Sequence, residues 1–210
     1  MNRIQPHAPR FFPWATYGLL AAIAAMFAVE LATGRAGNEP ALLPLGALPN
    51  RSLNGEHWRL VTYSFLHLNW SHILMNSVLL WWTGWIVERR VGAAQMLGVY
   101  FAAVLIAGIA IAFQSHHLPR EEGASVGASG GIFALLAAAL ILAYRKDATE
   151  RFGKDPRMHI GLWIAMAIAL YITFRPGVSV AGHAGGLVTG LLLGLLIRVR
   201  PSASLVEAPA

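Results

Sequence analysis

The apolar residues of this chain come in runs of about twenty, separated by short charged patches. Few folds accept that pattern. A helix rises 1.5 Å per residue, so each run is about 30 Å long, the thickness of a bilayer's hydrocarbon core. Composition agrees: apolar residues make up 56% and charged residues 12%, against roughly 45–50% and about 25% in average globular chains. Twenty-six charged side chains in 210 residues are too few to cover a soluble surface. The absence of cysteine excludes disulfide scaffolds, cysteine nucleophiles and thiolate metal sites. A net charge of +6 would point to nucleic acid in a soluble domain. Here the basic residues lie between the apolar runs, where they orient a chain in a bilayer, and no nucleic-acid partner is expected.

Six spans follow, making an all-α polytopic membrane protein. The first runs from Trp14 to Thr33 and exceeds the h-region of a signal peptide. The others are Ser71–Val87, Ala93–Phe113, Ser129–Tyr144, Met158–Phe174 and Val178–Ile197. Between the first two lies a long, semi-polar loop, Gly34–Trp70, punctuated by Pro40, Pro44, Gly46 and Pro49. Loops of that length are usually functional. The expected organisation is a tail at 1–13, a six-helix membrane domain at 14–197 and a second tail at 198–210. With the N-terminus inside, eleven basic residues fall on the inner side and five on the outer, so both termini are expected in the cytoplasm. Spans two, four and six then begin at the outer face and run inward.

Each of those three spans opens on a polar cluster. The second begins HLNWSHILMNS, with His67, His72 and Asn76; GASGG precedes the fourth, with Ser129 at its head; the sixth opens VAGHAGG, with His183. Polar side chains at such depth are expensive and mark function by default. Taken singly, each has an ordinary explanation. Serine at a helix start is commonly an N-cap, a lone histidine is commonly a satisfied core residue, and Asn76 would serve as interhelical glue. Convergence of Ser129, His72, His183 and Asn76 at one level is what carries the functional reading.

That reading is nucleophilic acyl transfer. A serine hydroxyl attacks only when a base takes its proton, and His183 is the available base for Ser129. No Asp or Glu lies inside the spans to orient it, Glu30 and Glu88 standing at span ends, so a Ser–His dyad is expected. The oxyanion needs donors, and His72, Asn76 and the backbone N–H of Ser129 are placed to supply them. Sixteen residues from Ser129 to Tyr144 span about 24 Å, short of the roughly 30 Å core, which sets Ser129 below the membrane surface. Glycines at 182, 186, 190 and 194 face a fourth span rich in alanine, at 134 and 137–139. Small residues at that spacing let helices approach closely and would bring His183 to Ser129.

Three rivals were weighed. A coupled transporter needs ionisable groups across the bilayer, and here they stop in the outer third. A zinc site from His67, His72 and His183 lacks an HExxH motif and an obvious carboxylate base. A non-catalytic binder of transmembrane helices would not need Ser129 and His183 intact.

At these residues the sequence resembles the rhomboid family of intramembrane serine proteases, over about Glu56–Ile197. Gly127-Ala128-Ser129-Gly130 matches its GxSG motif, and His67, His72 and Asn76 match its HxxxxHxxxN pattern. His183, Gly186 and Gly190 match HxxGxxxG, and Trp58-Arg59 matches the Trp-Arg pair of the first loop. Glu88–Gly92 resembles the charged turn after the second helix. Two positions depart. Phe133 stands where bacterial members commonly carry Tyr, so stacking on the base should survive while a hydroxyl bond cannot, and Gly182 replaces a frequent Ala.

The resemblance implies a six-helix bundle with a long first loop. It implies a Ser129–His183 dyad, oxyanion stabilisation by His72 and Asn76, and supporting roles for Gly127, Phe133 and His67. It also implies a single-span membrane protein as substrate, the lipid bilayer as partner, no cofactor and no metal, and a bacterial inner membrane as location. The fifth helix would act as a lateral gate, with Arg175-Pro176-Gly177 as a hinge. His116-His117 is expected as a surface pair. The sequence carries no signal for a particular oligomeric state.

Overall fold

In lipid, backbone N–H and C=O groups must be bonded within the protein, and a single apolar segment manages that as a helix. A computed structural model describes residues 11–50, 53–117 and 123–200. The six apolar runs are six long helices: α1 (Trp14–Ala32), α3 (Trp70–Val91), α4 (Ala93–His117), α5 (Ser129–Tyr144), α7 (Pro156–Thr173) and α8 (Val180–Leu196). Two short helices, α2 (Arg59–Thr62) and α6 (Lys146–Phe152), lie in the connections. Strands β1 (Leu48–Pro49) and β2 (Ala124–Ser125) pair antiparallel, tying the first loop to the segment that leads into α5. The tails expected at 1–13 and 198–210 lie mostly outside the described residues.

The differences from the sequence reading have local causes. Helix α3 continues through Glu88-Arg89-Arg90 to Val91, and α4 runs four residues past Phe113 to end on His117. The charged stretch after Tyr144 holds α6, which bends 81° away from α5. Judged by length and hydropathy, α1, α4 and α7 qualify as spans individually, α5 does so only together with α6, and α8 is a shorter apolar helix. His72, Asn76 and the Glu-Arg-Arg end dilute α3. Large apolar side chains face outward as a lipid-exposed belt, among them Val78, Ile106, Ile109, Phe113, Ile164, Ile168 and Leu192.

Helix α5 is the axis of the bundle. Thirteen of its sixteen residues are buried, because α3, α4, α7 and α8 all pack on it. Its contact with α8 is backbone on backbone: a Cβ at Gly186 would collide with the Gly130 carbonyl, and one at Gly190 with the main chain of Ala134. Gly194 meets Ala138 in the same way, whereas Gly182 turns toward Ile111 of α4. At the C-terminal end of α5 Arg145 fastens the pair. Its guanidinium donates to the carbonyls of Gly194 (3.0 Å) and Ile197 (2.8 Å) and to Asp147 (2.6 Å). These are the unpaired carbonyls that end every helix.

Two more polar anchors set the frame. Both carboxylate oxygens of buried Glu88 accept from the first turn of α1, from Ala15 N (3.0 Å), Thr16 N (2.9 Å) and Thr16 Oγ1 (2.7 Å). A carboxylate at a helix start satisfies orphan donors and the dipole together. In the long loop, buried Arg59 donates to the carbonyls of Leu43 and Ala47 and pairs with Glu56.

Candidate active site

Three helices, α3, α5 and α8, begin around one cavity of about 900 Å³. Their starts are fixed by ordinary capping. Asn69 accepts from His72 N at 3.0 Å to open α3, and Ser179 accepts from Gly182 N at 3.1 Å to open α8. Helix α5 is the exception. Its N-cap is Ala128, no side chain caps it, and the hydroxyl of Ser129 is directed elsewhere. Ser129 Oγ lies 2.9 Å from His183 Nε2. The ordinary explanation of a serine at a helix start therefore does not hold here.

The other residues singled out in the sequence gather round this pair. The Phe133 ring stacks on His183 with centroids 4.3 Å apart and planes tilted by 24°, so the apolar face persists without a tyrosine hydroxyl. Asn76 is buried at 2% exposure, and its Nδ2 has no hydrogen-bond partner among the described residues. Asn76 and His72 line the same cavity as Ser129 and His183. Gly127 holds φ at +122°, and a Cβ there would lie 2.8 Å from the His72 ring and 3.6 Å from Asn76 Nδ2. Glycine is needed twice over, for a left-handed backbone and for the space that the two side chains occupy.

His67 sits behind His72, ring edge to ring face at 5.0 Å, and is fully buried. Its backbone N–H donates to Glu30 Oε1 at 3.0 Å. Glu30, which the sequence placed at a span end, is fully buried. Among the described residues no group of three or more His, Cys, Asp or Glu is arranged to hold a metal ion. His116 and His117 are exposed at the end of α4 with ring centroids 5.0 Å apart.

One participant was invisible in the sequence. Thr173, on the last turn of α7, places Oγ1 2.8 Å from His183 Nδ1, on the far side of the ring from Ser129. The same hydroxyl donates to the Ala169 carbonyl at 2.8 Å. The group that orients a catalytic histidine is ordinarily a carboxylate, which a sequence displays openly. A threonine on an apolar helix ordinarily reads as bonding only to its own backbone.

Fold and site together define a polytopic helical membrane protein with a polar centre recessed at one end of the bundle. Residues 54–200 match the Rhomboid domain, and the chain belongs to the rhomboid family. It is 33% identical over 181 residues to the Rhomboid protease GluP of Bacillus subtilis, covering 85% of this chain and 34% of that protein. It is 30% identical to RHOMBOID-like protein 5 of Arabidopsis thaliana over 80% of this chain and 53% of that one. With the Rhomboid protease GlpG of Klebsiella pneumoniae the identity is 24%, over 88% of this chain and 62% of that protein. The chain thus spans between about a third and three fifths of the length of these relatives.

Proposed function

We propose that this protein is an intramembrane serine endopeptidase that hydrolyses a peptide bond in or near the transmembrane segment of single-span membrane proteins. The observation that carries the reading is the 2.9 Å approach of Ser129 Oγ to His183 Nε2 inside a cavity large enough for an extended peptide. Names of relatives such as GluP and GlpG, called rhomboid proteases, support it.

The chemistry runs on this chain's own groups. His183 Nε2 takes the Ser129 hydroxyl proton as Oγ bonds to the scissile carbonyl carbon. The carbonyl π electrons move to oxygen, and the oxyanion accepts hydrogen bonds from Asn76 Nδ2, the His72 ring and the Ser129 backbone N–H. Collapse of the adduct breaks the C–N bond, and His183 gives its proton to the leaving amine. Water then repeats the cycle on the acyl ester and restores Ser129. Cytoplasmic termini, placement in a bacterial inner membrane, a gate at α7 and a membrane domain spanning 14–197 belong to the same proposal.

The test is cleavage of a model single-span substrate in liposomes by wild type, Ser129→Ala and His183→Ala. Cleavage by wild type alone is expected. Equal cleavage by all three would mean a contaminating protease. If none cleaves, a serine-directed fluorophosphonate is applied. Labelling that depends on Ser129 keeps the enzyme and changes the substrate; its absence transfers the assignment to a non-catalytic binder of transmembrane helices. Asn76→Ala should lower kcat by about 100-fold at unchanged KM, the usual cost of one oxyanion donor.

A further inference from the structure

We propose that Thr173 is a positioning residue that fixes the tautomer of His183, accepting the Nδ1 proton so that Nε2 faces Ser129 bare and ready to take a proton. The inference extends the protease reading but rests on its own geometry. A neutral imidazole carries one ring proton, and a threonine hydroxyl has one proton to give. With the ring proton on Nδ1, every donor finds an acceptor. Nδ1–H donates to Thr173 Oγ1, Thr173 O–H donates to the Ala169 carbonyl, and Ser129 O–H donates to Nε2, at 2.8, 2.8 and 2.9 Å. With the proton on Nε2, that nitrogen donates to Ser129. Thr173 must then turn its proton from Ala169 to Nδ1, and the Ser129 hydroxyl has no acceptor among the described residues. The productive tautomer keeps one more hydrogen bond within the protein, with the buried Thr173 to Ala169 bond intact, which favours it by about tenfold.

Burial sharpens the preference. Thr173 is 4% exposed and His183 8% exposed, so water competes little for the Nδ1 side. The ring is held on three sides, by Ser129, by Thr173 and by Phe133 stacked on its face. A neutral hydroxyl thus takes the orienting part that a carboxylate plays in a triad, without adding a buried charge.

The experiment uses full-length protein in micelles with 15N-labelled histidine, and long-range 1H–15N spectra to read which ring nitrogen is protonated. The His183 signal is the one missing from His183→Gln. Wild type should show Nδ1 protonated and Nε2 bare. Thr173→Val, which keeps shape and loses the hydroxyl, should show mixed tautomers and a kcat about tenfold lower at unchanged KM. Thr173→Ser should restore both. An Nε2-protonated wild type would overturn the proposal, even if Thr173→Val failed to fold. So would Thr173→Val matching wild type, or Thr173→Ser as impaired as the valine variant. Because the tautomer is read without a substrate, failure of the protease reading would show separately.

A second observation, at the opposite end of the bundle, stands independently. A cavity of about 360 Å³ lies between the end of α3 and the start of α7, lined by Trp82, Trp85, Arg89, Arg90, Asp155 and Arg157. Three arginines and one carboxylate line it, and Asp155 spends Oδ1 capping α7 through Arg157 N at 2.9 Å. Arg90 is 5% exposed, donates to the Ile86 carbonyl and Met158 Sδ, and lies 5.8 Å over the Phe152 ring, with no anion against it among the described residues. Among the described residues none of the three arginines forms an ion pair. A buried cation without a counter-charge is costly, and planar guanidiniums match phosphate geometry.

We infer that this cavity binds the phosphate of an anionic lipid headgroup, the two tryptophans lying at the acyl boundary. Melting would be followed in nanodiscs of phosphatidylcholine alone or with phosphatidylglycerol. The anionic lipid should raise the Tm of wild type and of a Lys146→Gln/Lys154→Gln control by about 4 °C. In Arg89→Gln/Arg157→Gln the rise should nearly vanish. An equal rise in both double variants, or none in wild type, would overturn the inference. The same rise from inorganic phosphate in phosphatidylcholine would assign the cavity to a soluble anion and overturn the lipid.

Discussion

Helices α5 and α7 both contribute to the surroundings of His183, yet they are built on opposite plans. Helix α5 is enclosed and small: alanines and glycines let α8 approach to backbone contact, and only Ser129, Ile141 and Tyr144 are not buried. Helix α7 meets the bundle along a single stripe, Leu162, Ala165, Met166, Ala169 and Thr173, and shows the rest of itself to lipid. Ser129 and the stacked face of the His183 ring are therefore held by the most constrained helix, the Nδ1 side of that ring by one of the least. An enclosed helix must be small because space is scarce. A peripheral one must be large and apolar because lipid is its solvent.

Substitutions can break that contrast. The largest effect is expected from Gly190→Leu, where new side-chain atoms meet the Ala134 backbone. Overpacking against main chain should cost about 3 kcal/mol, read as a lower melting temperature. Phe133→Ala removes the ring stacked on His183 and should lower kcat about tenfold, as expected for losing an aromatic pair, with Phe133→Tyr close to wild type. Just past the C-terminal end of α5, Asp147 is held below its ordinary 3.8 by the hydrogen bond from Arg145. A depressed carboxyl stabilises fully above its ordinary value and loses that contribution as pH falls through the lowered one. Melting of Asp147→Asn should therefore depend less on acid than melting of wild type, by a small margin for so exposed a pair. Smallest of all is Ile168→Ala on the lipid face of α7, expected within about 0.5 kcal/mol of wild type. A large loss there would mean that α7 is packed as tightly as α5.

Much of this was legible in one sequence. Apolar run length located all six long helices, since a bilayer leaves a single apolar segment no alternative. The fourth span was placed at Ser129–Tyr144 and stands there, because GAS and Arg145 bracket it sharply. Ser129 and His183 were joined by reasoning from the small-residue stripe, and Gly186 and Gly190 do bring the helices together. Gly182 was counted in that stripe but faces α4, a matter of helix rotation that four-residue spacing does not specify. Thr173 was illegible for a different reason. Its partner is ten residues away on another helix, and no spacing rule encodes which turn of α7 ends beside Nδ1. Glu30 and His67 were read as peripheral and supporting, but their burial depends on how the long first loop folds back, and loops carry no period to read.

The enclosed helix has an electrical consequence. A cavity that admits water partway into a membrane is a route along which protons can leak. Past Ser129 along α5 that route meets Ile132, Leu135, Leu136 and Leu142, each 2% exposed or less, none of which can carry a proton. The bundle can open to water at one end of α5 while its apolar remainder stays an insulator in series with that polar cavity.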